Sequence, residues 1–278
     1  MRIVFFGSSD YSIQVLKELM FLDFKSLHVV TQPDKPKGRG MKTQPTEVKY
    51  YCQIHGIHVM SPENLKDAAF LDEIRAIKPD LLLIASYGNF LPQELLDIPR
   101  LCLCLHPSLL PKYPGAAPVN WALLNGETTT GVTLFKVVKK MDAGDVFMQE
   151  RIDIAPGDDS ISLFEKVAMV SKRMLEIALP MIKAGRGTFT PQDESQVSFA
   201  PKIDKEAFQI DWTKDGETVI NKVRALSSFS CAWSMFRGKR IKFWKVDSND
   251  FFCQFPVQKR EQNFSFKLPG EIIYVDKH

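Results

Sequence analysis

Short runs of apolar residues alternate, in the first half of the chain, with segments whose apolar positions recur at helical spacing. The first run, 3–6, ends at a glycine, and apolar residues then recur three and four positions apart as far as Met20. Similar runs cover 27–30, 81–84 and 101–105, and a helical stretch covers 65–77. Buried strands that lead into helices are typical of parallel sheets. The pattern predicts a doubly wound α/β sheet with its ligand site at the carboxyl ends of the strands.

A longer helical pattern covers 159–185. Ser162 and Glu165 have the spacing of a capping box, which predicts that the helix begins near Ser162. Pro180 lies inside this pattern and is expected to kink or split the helix. The sequence then becomes polar and contains proline, which indicates a linker over 189–205.

The chain after this linker has a different pattern. A short helix is predicted over 217–226, and β-leaning runs follow at 231–236, 240–246, 251–257 and 270–275. We therefore predict a domain over 1–188, a linker over 189–205, and a small β-barrel-like domain over 206–278.

Composition adds a second basis for two domains. The 278 residues are 45% hydrophobic, enough for a main domain and a smaller one. The formal charge of +3 is too small to indicate nucleic-acid binding by itself. However, nine Lys and Arg and only two acidic residues lie between positions 221 and 260, among eight aromatic residues. This combination suits contact with single-stranded nucleic acid, although most of the rings are expected in the core.

Several classes of protein are not indicated. Five cysteines at irregular spacing do not suggest a disulfide framework, and the chain opens directly into a predicted strand, so we expect a cytoplasmic protein. No apolar run is long enough to span a bilayer, and no membrane partner is expected. The Gly7 turn lacks a dinucleotide fingerprint. Cys52, His55 and His58 have a superficial metal-site spacing but no fourth ligand nearby, so no metal is predicted.

Two polar residues at predicted strand ends are the candidates for acid–base chemistry. His106 follows the buried run 101–105, and Asp142 begins a tight turn, Asp-Ala-Gly-Asp, before another predicted strand. Histidine exchanges protons near neutral pH, and a carboxylate partner fixes its tautomer and stabilises its charged form. The hydroxyl of Ser108 lacks the flanking glycines of a nucleophile elbow, so we expect it to be a loop residue near the ligand.

A basic loop at 32–45 carries lysines and an arginine between two glycines, Gly38 and Gly40. Its backbone freedom could let Arg39 meet a phosphate. A solvated flexible loop is equally consistent with its composition.

The chain resembles the methionyl-tRNA formyltransferase family over nearly its whole length. The segments that carry the resemblance are RIVFFGSSDY at 2–11, QPDKPKGRGMKTQPTEVK at 32–49, SYGNFLP at 86–92, HPSLLPKYPGAAPVNWALLNGETTTGVT at 106–133, MDAGDV at 141–146, SFAPKIDKEAFQIDW at 198–212 and IKFWK at 241–245. The resemblance implies a Rossmann-like N-terminal domain that holds 10-formyltetrahydrofolate, and an OB-like C-terminal domain that helps to hold initiator methionyl-tRNA. It also suggests a monomer that acts in translation initiation without a metal.

The resemblance assigns roles to particular positions. His106 relays a proton during formyl transfer, Asp142 orients it, and Cys104 occupies the position of a family asparagine that steadies the developing oxyanion. The implied folate contacts are Ser108, Leu109, Leu110, Pro111, Ser86, Tyr87, Gly88, Phe90 and Leu91. Arg39 matches a family arginine associated with the acceptor end of tRNA, and the implied tRNA contacts are Arg39, Lys37, Lys42, Arg237, Lys239 and Arg240.

Three departures from the family pattern stand out. Cys104 replaces the asparagine, and a thiol is a weaker donor than an amide N–H. Pro114 stands where an arginine is usual. The family continues beyond the segment that resembles 270–277, so we expect the small barrel to be truncated.

Two other functions are consistent with the sequence. A sugar-nucleotide N-formyltransferase or a formyltetrahydrofolate hydrolase would share the superfamily motifs, although the GRG loop and the basic C-terminal stretch argue against them. A binding protein that has lost catalysis would account for Cys104, Pro114 and the short barrel.

Overall fold

The computed structural model of the protein describes residues 1–37, 40–228 and 231–246. The chain divides into two compact units. The larger unit comprises residues 1–118, 129–153 and 164–202, and the smaller unit comprises residues 119–128, 154–163 and the described residues from 203 onward.

The described residues form thirteen strands and seven α-helices. The strands are β1 (Arg2–Gly7), β2 (Ser26–Val30), β3 (Lys35–Lys37), β4 (Lys42–Gln44), β5 (Val59–Met60), β6 (Leu81–Ala85), β7 (Leu101–His106), β8 (Lys112–Gly115), β9 (Thr129–Lys136), β10 (Val146–Asp153), β11 (Ser198–Ala200), β12 (Ala232–Phe236) and β13 (Lys239–Phe243). The helices are α1 (Asp10–Phe21), α2 (Glu47–Ile54), α3 (Ala68–Ile77), α4 (Gln93–Leu96), α5 (Pro118–Leu124), α6 (Ser160–Lys183) and α7 (Gly216–Leu226).

The larger unit is built on a seven-stranded sheet of order β10-β9-β7-β6-β1-β2-β5. The last five strands in this order are parallel, and β9 and β10 extend the sheet as an antiparallel edge. The predicted doubly wound α/β sheet is therefore confirmed. Chain connections leave β1 and β6 in opposite directions, so the crevice at their carboxyl ends is the usual place for a ligand.

Local sequence explains the first unit of this sheet. Residues 3–6 of β1 are fully buried, as expected for a central strand covered on both faces. Ser9 caps α1 through a capping box with Ser12. The Ser12 hydroxyl also donates to the main-chain oxygen of Ala85 at 2.6 Å, which ties the start of α1 to the end of β6.

Helix α6 differs from its prediction at both ends. The helix begins at Ser160, because the Asp159 carboxylate accepts the N–H groups of Ile161 and Ser162, and the Ser162 hydroxyl accepts the N–H of Asp159. Asp159 therefore holds the N-cap position, and the expected cap at Ser162 is wrong. The helix also runs without a break through Pro180 to its end at Lys183, so the proline does not split it.

The smaller unit packs α7 and the β12–β13 hairpin around an apolar cluster. Its buried members are Phe208, Ile210, Val223, Leu226 and Ala232. The ring of Trp212 meets Phe243 edge-on, and its N–H donates to the Ser234 hydroxyl at 2.8 Å. The strands predicted over 251–257 and 270–275 lie outside the described residues, so the OB-like barrel stays a prediction.

Candidate active site

The polar centre of the larger unit lies where β7 ends. His106 is the last residue of β7 and is buried, and Asp142 lies in the connection between β9 and β10. The structure brings the two side chains together, with the Nδ1 atom of His106 3.6 Å from the Oδ2 atom of Asp142. These residues are 36 positions apart in the sequence. Thr133 of β9 pairs with His106, and β9 leads into the connection that carries Asp142.

The other side of the imidazole ring is held by the main chain. The Nε2 atom of His106 lies 2.8 Å from the carbonyl oxygen of Tyr113. A carbonyl oxygen can only accept, so Nε2 carries a proton in this arrangement. Tyr113 has a positive φ of 62°, an uncommon conformation for a residue with a side chain. Nδ1 is therefore the ring nitrogen that faces Asp142.

Backbone geometry also fixes the carboxylate of Asp142. The N–H of Gly115 donates to Oδ2 at 2.9 Å, and Asp142 itself has a φ of 50°. Gly115 has a φ of 126°, and a Cβ at that position would lie 2.5 Å from the carbonyl oxygen of Ala200. Only glycine fits this close approach, so strand β11 supports the residue that holds Asp142.

Cys104 lies two residues before His106 on β7, so both side chains lie on the same face of the strand. Burial raises the pKa of the Cys104 thiol well above its usual range, and the charge of Asp142 raises it further. The thiol is therefore protonated at neutral pH. A neutral thiol can donate one weak hydrogen bond, whereas an asparagine amide has two strong donors.

The loop after His106 is closed by side chains from β9 and β10. The Thr133 hydroxyl donates to the carbonyl oxygen of Ser108 at 2.6 Å and accepts from the N–H of Leu110. The amide of Gln149 donates to the carbonyl oxygen of Leu110 at 2.6 Å and to Thr133 at 2.9 Å. Neither Thr133 nor Gln149 was predicted in this role from the sequence, where only the position of Thr133 in the TGVT block indicates it.

Within the loop, the implied folate contacts differ in exposure. Ser108 is fully buried, and its hydroxyl donates to the carbonyl oxygen of Lys112 at 2.7 Å. Leu110 is buried, Leu109 is partly exposed, and a cis peptide bond joins Leu110 to Pro111. The side-chain hydroxyl of Ser108 is thus used inside the loop, as are the carbonyl oxygen of Ser108 and both main-chain polar groups of Leu110.

The segment after β6 divides between the core and the surface. Tyr87 is buried against Phe6, and burial raises its pKa to about 12. Leu91 packs on the same apolar cluster, whereas the ring of Phe90 is 75% exposed. Ser86 and Gly88 both have positive φ, which turns the chain sharply as it leaves the strand. The exposed aromatic surface of this segment therefore comes from Phe90.

The implied tRNA contacts lie on two hairpins, one in each unit. In the larger unit Lys37 ends β3, Lys42 begins β4 and is exposed, and Arg39 lies outside the described residues. In the smaller unit Arg237 lies in the turn between β12 and β13, and Lys239 and Arg240 are the first two residues of β13. All three residues are exposed. The guanidinium of Arg240 stacks 4.0 Å from the centre of the Trp233 ring.

No group of three or more potential ligands that could hold a metal ion occurs in residues 1–37, 40–228 and 231–246. Cys52 is fully buried on α2. Over the same ranges, no helix is long and apolar enough to cross a bilayer.

Comparison with known proteins matches the amino-acid sequence to one family. Residues 1–179 match the formyl transferase family, and residues 202–278 match the formyl transferase C-terminal domain. The chain is 40% identical over 278 residues to a methionyl-tRNA formyltransferase of Thermotoga maritima, covering all of this chain and 85% of that one. This chain belongs to the methionyl-tRNA formyltransferase family. A member from Dictyoglomus thermophilum is 39% identical over 284 residues, covering 99% of this chain and 91% of its own.

Solved structures of lower identity share the fold. A 4-N formyltransferase from Francisella tularensis superposes with a TM-score of 0.69 at 17% identity, covering 88% of this chain and 97% of its own. HypX from Aquifex aeolicus, in complex with tetrahydrofolic acid, superposes with a TM-score of 0.66 at 24% identity. That match covers 87% of this methionyl-tRNA formyltransferase family member and 37% of HypX.

Proposed function

We propose that this chain transfers the formyl group of 10-formyltetrahydrofolate to the amino group of the methionyl moiety of initiator methionyl-tRNA, in the cytoplasm, for translation initiation. The observation that carries the proposal is the pairing of His106 with Asp142 at the sheet edge where doubly wound folds bind ligands. Relatives named methionyl-tRNA formyltransferase, 39–40% identical over at least 99% of the chain, support this acceptor rather than a sugar nucleotide or water.

The chemistry needs one proton to pass between two nitrogen atoms. The methionyl amine attacks the formyl carbon, the bond from that carbon to N10 of the folate breaks, the amine loses a proton and N10 gains one. His106 accepts the first proton at Nδ1 and returns it to N10, while Nε2 stays bonded to the Tyr113 carbonyl. Asp142, 3.6 Å away, stabilises the imidazolium between the two transfers.

Negative charge develops on the formyl oxygen while the new bond forms. Cys104 lies where the family asparagine donates to this oxygen, and its protonated thiol is the donor that this chain has in its place. Loss of one strong donor of this kind costs roughly 10² to 10³ in rate. We therefore propose that the chain is a slow member of its family rather than a binding protein without activity.

The two loops at the carboxyl ends of β6 and β7 form the folate site in this proposal. Strands β6 and β7 are parallel neighbours, so the loops 86–91 and 108–111 emerge at the same edge of the sheet. The exposed ring of Phe90 offers an apolar face to a flat pterin ring. The 108–111 loop, held in place by Thr133 and Gln149, forms the other side of this site.

Two basic hairpins are the proposed contacts for tRNA. Lysines flank the β3–β4 turn, and Arg39 lies between them in the sequence. On the β12–β13 hairpin, Arg240 covers the Trp233 ring and leaves its guanidinium edge for phosphate. We propose that residues 1–188 perform catalysis, that 189–205 connect the domains, and that 206–278 bind tRNA.

The direct test is formyl transfer by the purified protein. The protein is incubated with 10-formyltetrahydrofolate and methionine-charged initiator tRNA, and formyl-methionyl-tRNA is separated from the unformylated form. We expect slow, saturable product formation that His106→Ala abolishes. Parallel reactions contain an amino-sugar nucleotide as acceptor, or no acceptor, with formate release measured.

Three outcomes of these reactions would contradict the proposal. Formylation of the sugar nucleotide alone identifies a sugar enzyme, and formate release without acceptor identifies a hydrolase. No product in any reaction, with the enzyme at a concentration close to that of the tRNA, identifies a protein without catalysis.

A further inference from the structure

Asp142 lies in a tight turn, and the side chain of Gln192, 50 residues further along the chain, holds that turn. The amide nitrogen of Gln192 donates to the carbonyl oxygen of Asp142 at 2.8 Å and to that of Gly144 at 2.7 Å. One amide group therefore satisfies two main-chain acceptors of a tight turn. A glutamine suits this position because its terminal NH₂ has two donors on one atom.

The main chain next to Gln192 is fixed in the same place. Thr190 and Val146 exchange two main-chain hydrogen bonds, of 2.8 and 2.9 Å, in an isolated antiparallel bridge. This bridge lies two residues from Gln192 and one residue from the end of the Asp142 turn. The side chain of Gln192 therefore extends to the turn from a main-chain segment that is itself hydrogen-bonded to Val146.

The opposite side of the turn leaves no room for adjustment. A Cβ on Gly144 would clash with the carbonyl oxygen of Lys136 on β9, so the turn lies directly against the strand. The N–H of Lys136 also donates to the carbonyl oxygen of Asp145 at 2.9 Å. The turn is thus held between β9 on one side and Gln192 on the other, with Asp142 at a φ of 50°.

We propose that Gln192 is a positioning residue for the catalytic carboxylate. Its two hydrogen bonds hold residues 142–144 in the conformation that places Oδ2 of Asp142 beside Nδ1 of His106. This inference rests on the proposed function for the role of Asp142. It assigns a part in catalysis to a segment that the sequence pattern describes only as a linker.

The test compares three variants of the full-length protein. Gln192→Glu preserves the shape but places acceptors against two carbonyl oxygens, and Gln192→Ala removes both bonds. Gln196→Ala is the matched control, because Gln196 is an exposed glutamine of the same segment whose side chain donates to the Asp193 carboxylate and not to the Asp142 turn.

We expect both Gln192 variants to lower kcat roughly 10-fold to 100-fold, since a small misplacement of a catalytic group has effects of this size. The KM values for folate and tRNA should change less than about threefold, and circular dichroism should show a folded protein. Gln196→Ala should match the parent protein. A Gln192→Ala, Asp142→Asn double variant should be no slower than Asp142→Asn alone, because the two changes remove one function.

A readout that does not need activity separates this inference from the proposed function. The imidazole nitrogen resonances of His106, recorded by NMR, should shift in Gln192→Ala and not in Gln196→Ala. If these resonances shift while no variant formylates tRNA, the positioning role stands and the proposed function fails. If kcat and the His106 resonances are unchanged in both Gln192 variants, or if the effects of Gln192→Ala and Asp142→Asn multiply, the inference is wrong.

Discussion

The imidazole Nε2 atom of His106 lies 2.8 Å from the main-chain carbonyl oxygen of Tyr113. This contact fixes the ring so that its other nitrogen faces Asp142, and it uses a backbone group that no side-chain substitution removes. The orientation of the His106 ring therefore depends on the main chain at Tyr113, and the free face of the ring is beside Asp142.

Replacement of Asp142 by asparagine should remove the negative charge of the side chain while preserving its shape and its hydrogen bond from Gly115. The Gly115 N–H can still donate to the amide oxygen of Asn, so the turn is preserved. Without the negative charge the imidazolium of His106 is no longer stabilised, and we expect kcat to fall roughly 10² to 10⁴-fold. Single-turnover formylation gives the rate, and a thermal melt within a few degrees of the parent confirms the fold. A rate within threefold of the parent would show that Asp142 does not act on His106.

Replacement of Cys104 by asparagine should increase activity. The amide restores two donors on the face of β7 that carries His106, and we expect kcat to rise roughly 10² to 10³-fold. The matched control is Cys104→Ala, which removes the thiol without adding a donor and should not exceed the parent. Equal rates for the Asn and Ala variants would show that the limit on catalysis lies elsewhere.

Gly115→Ala should affect both stability and catalysis. The added Cβ would meet the carbonyl oxygen of Ala200 at 2.5 Å, at a φ of 126° that side chains avoid. We expect the free energy of unfolding to fall by about 2 to 4 kcal/mol. Activity per folded molecule should also fall, because the N–H that holds Asp142 is displaced. Gly216→Ala is the control, since that position has open space and begins helix α7. Urea unfolding of both variants provides the comparison.

The start of β1 provides a pH-dependent prediction. The Asp80 carboxylate accepts the N–H of Arg2 at 2.7 Å and its guanidinium at 3.3 Å, and these hydrogen bonds lower the pKa of Asp80. Because the pKa is lower in the folded state than in the unfolded chain, this stabilisation is present at neutral pH and is lost as the pH falls through the folded-state value.

Asp80→Asn should therefore cost about 1 kcal/mol at pH 7, allowing for the partial exposure of the pair. The difference in free energy of unfolding between parent and variant should shrink as the pH is lowered below about 4. Urea unfolding at several pH values measures it. A difference that grows as the pH falls would contradict the assignment.

Arg240→Ala should weaken tRNA binding in a salt-dependent way. The guanidinium on the Trp233 ring is offered to a phosphate, and removal of one phosphate contact should reduce the slope of log affinity against log salt by about one. Filter binding at several salt concentrations measures the slope. Lys66→Ala, at an exposed lysine of the larger unit, is the control and should leave the slope unchanged. An unchanged slope in Arg240→Ala would show that Arg240 of this hairpin does not contact a tRNA phosphate.

Local patterns predicted the sheet because each βα unit is encoded over a short stretch. Residues 3–6 are apolar without interruption, and the helical spacing that follows gives α1. In helix α6 the expected split at Pro180 does not occur. Pro180 lies beside residues that are buried in the larger unit, among them Ala178 and Leu179, and their packing outweighs the missing N–H of the proline.

The candidate site was only partly predictable for a different reason. His106 and Asp142 were identified because each follows a strand-like or turn-like pattern. The groups that hold them were not, since Gly115 meets Asp142 across 27 positions and Gln192 meets it across 50. Contacts between residues so far apart in the sequence do not alter the local spacing of apolar residues. A glutamine in a polar stretch has the same sequence pattern as one in any surface loop.

The close approach of Ala200 to Gly115 has a consequence for how the larger unit is assembled during synthesis. A nascent chain that has emerged only as far as residue 188 contains His106, Asp142 and the whole seven-stranded sheet. It still lacks the strand that backs Gly115 and the amide that spans the Asp142 turn. The supports of Gly115 and of the Asp142 turn can therefore be completed only after about twelve more residues have left the ribosome.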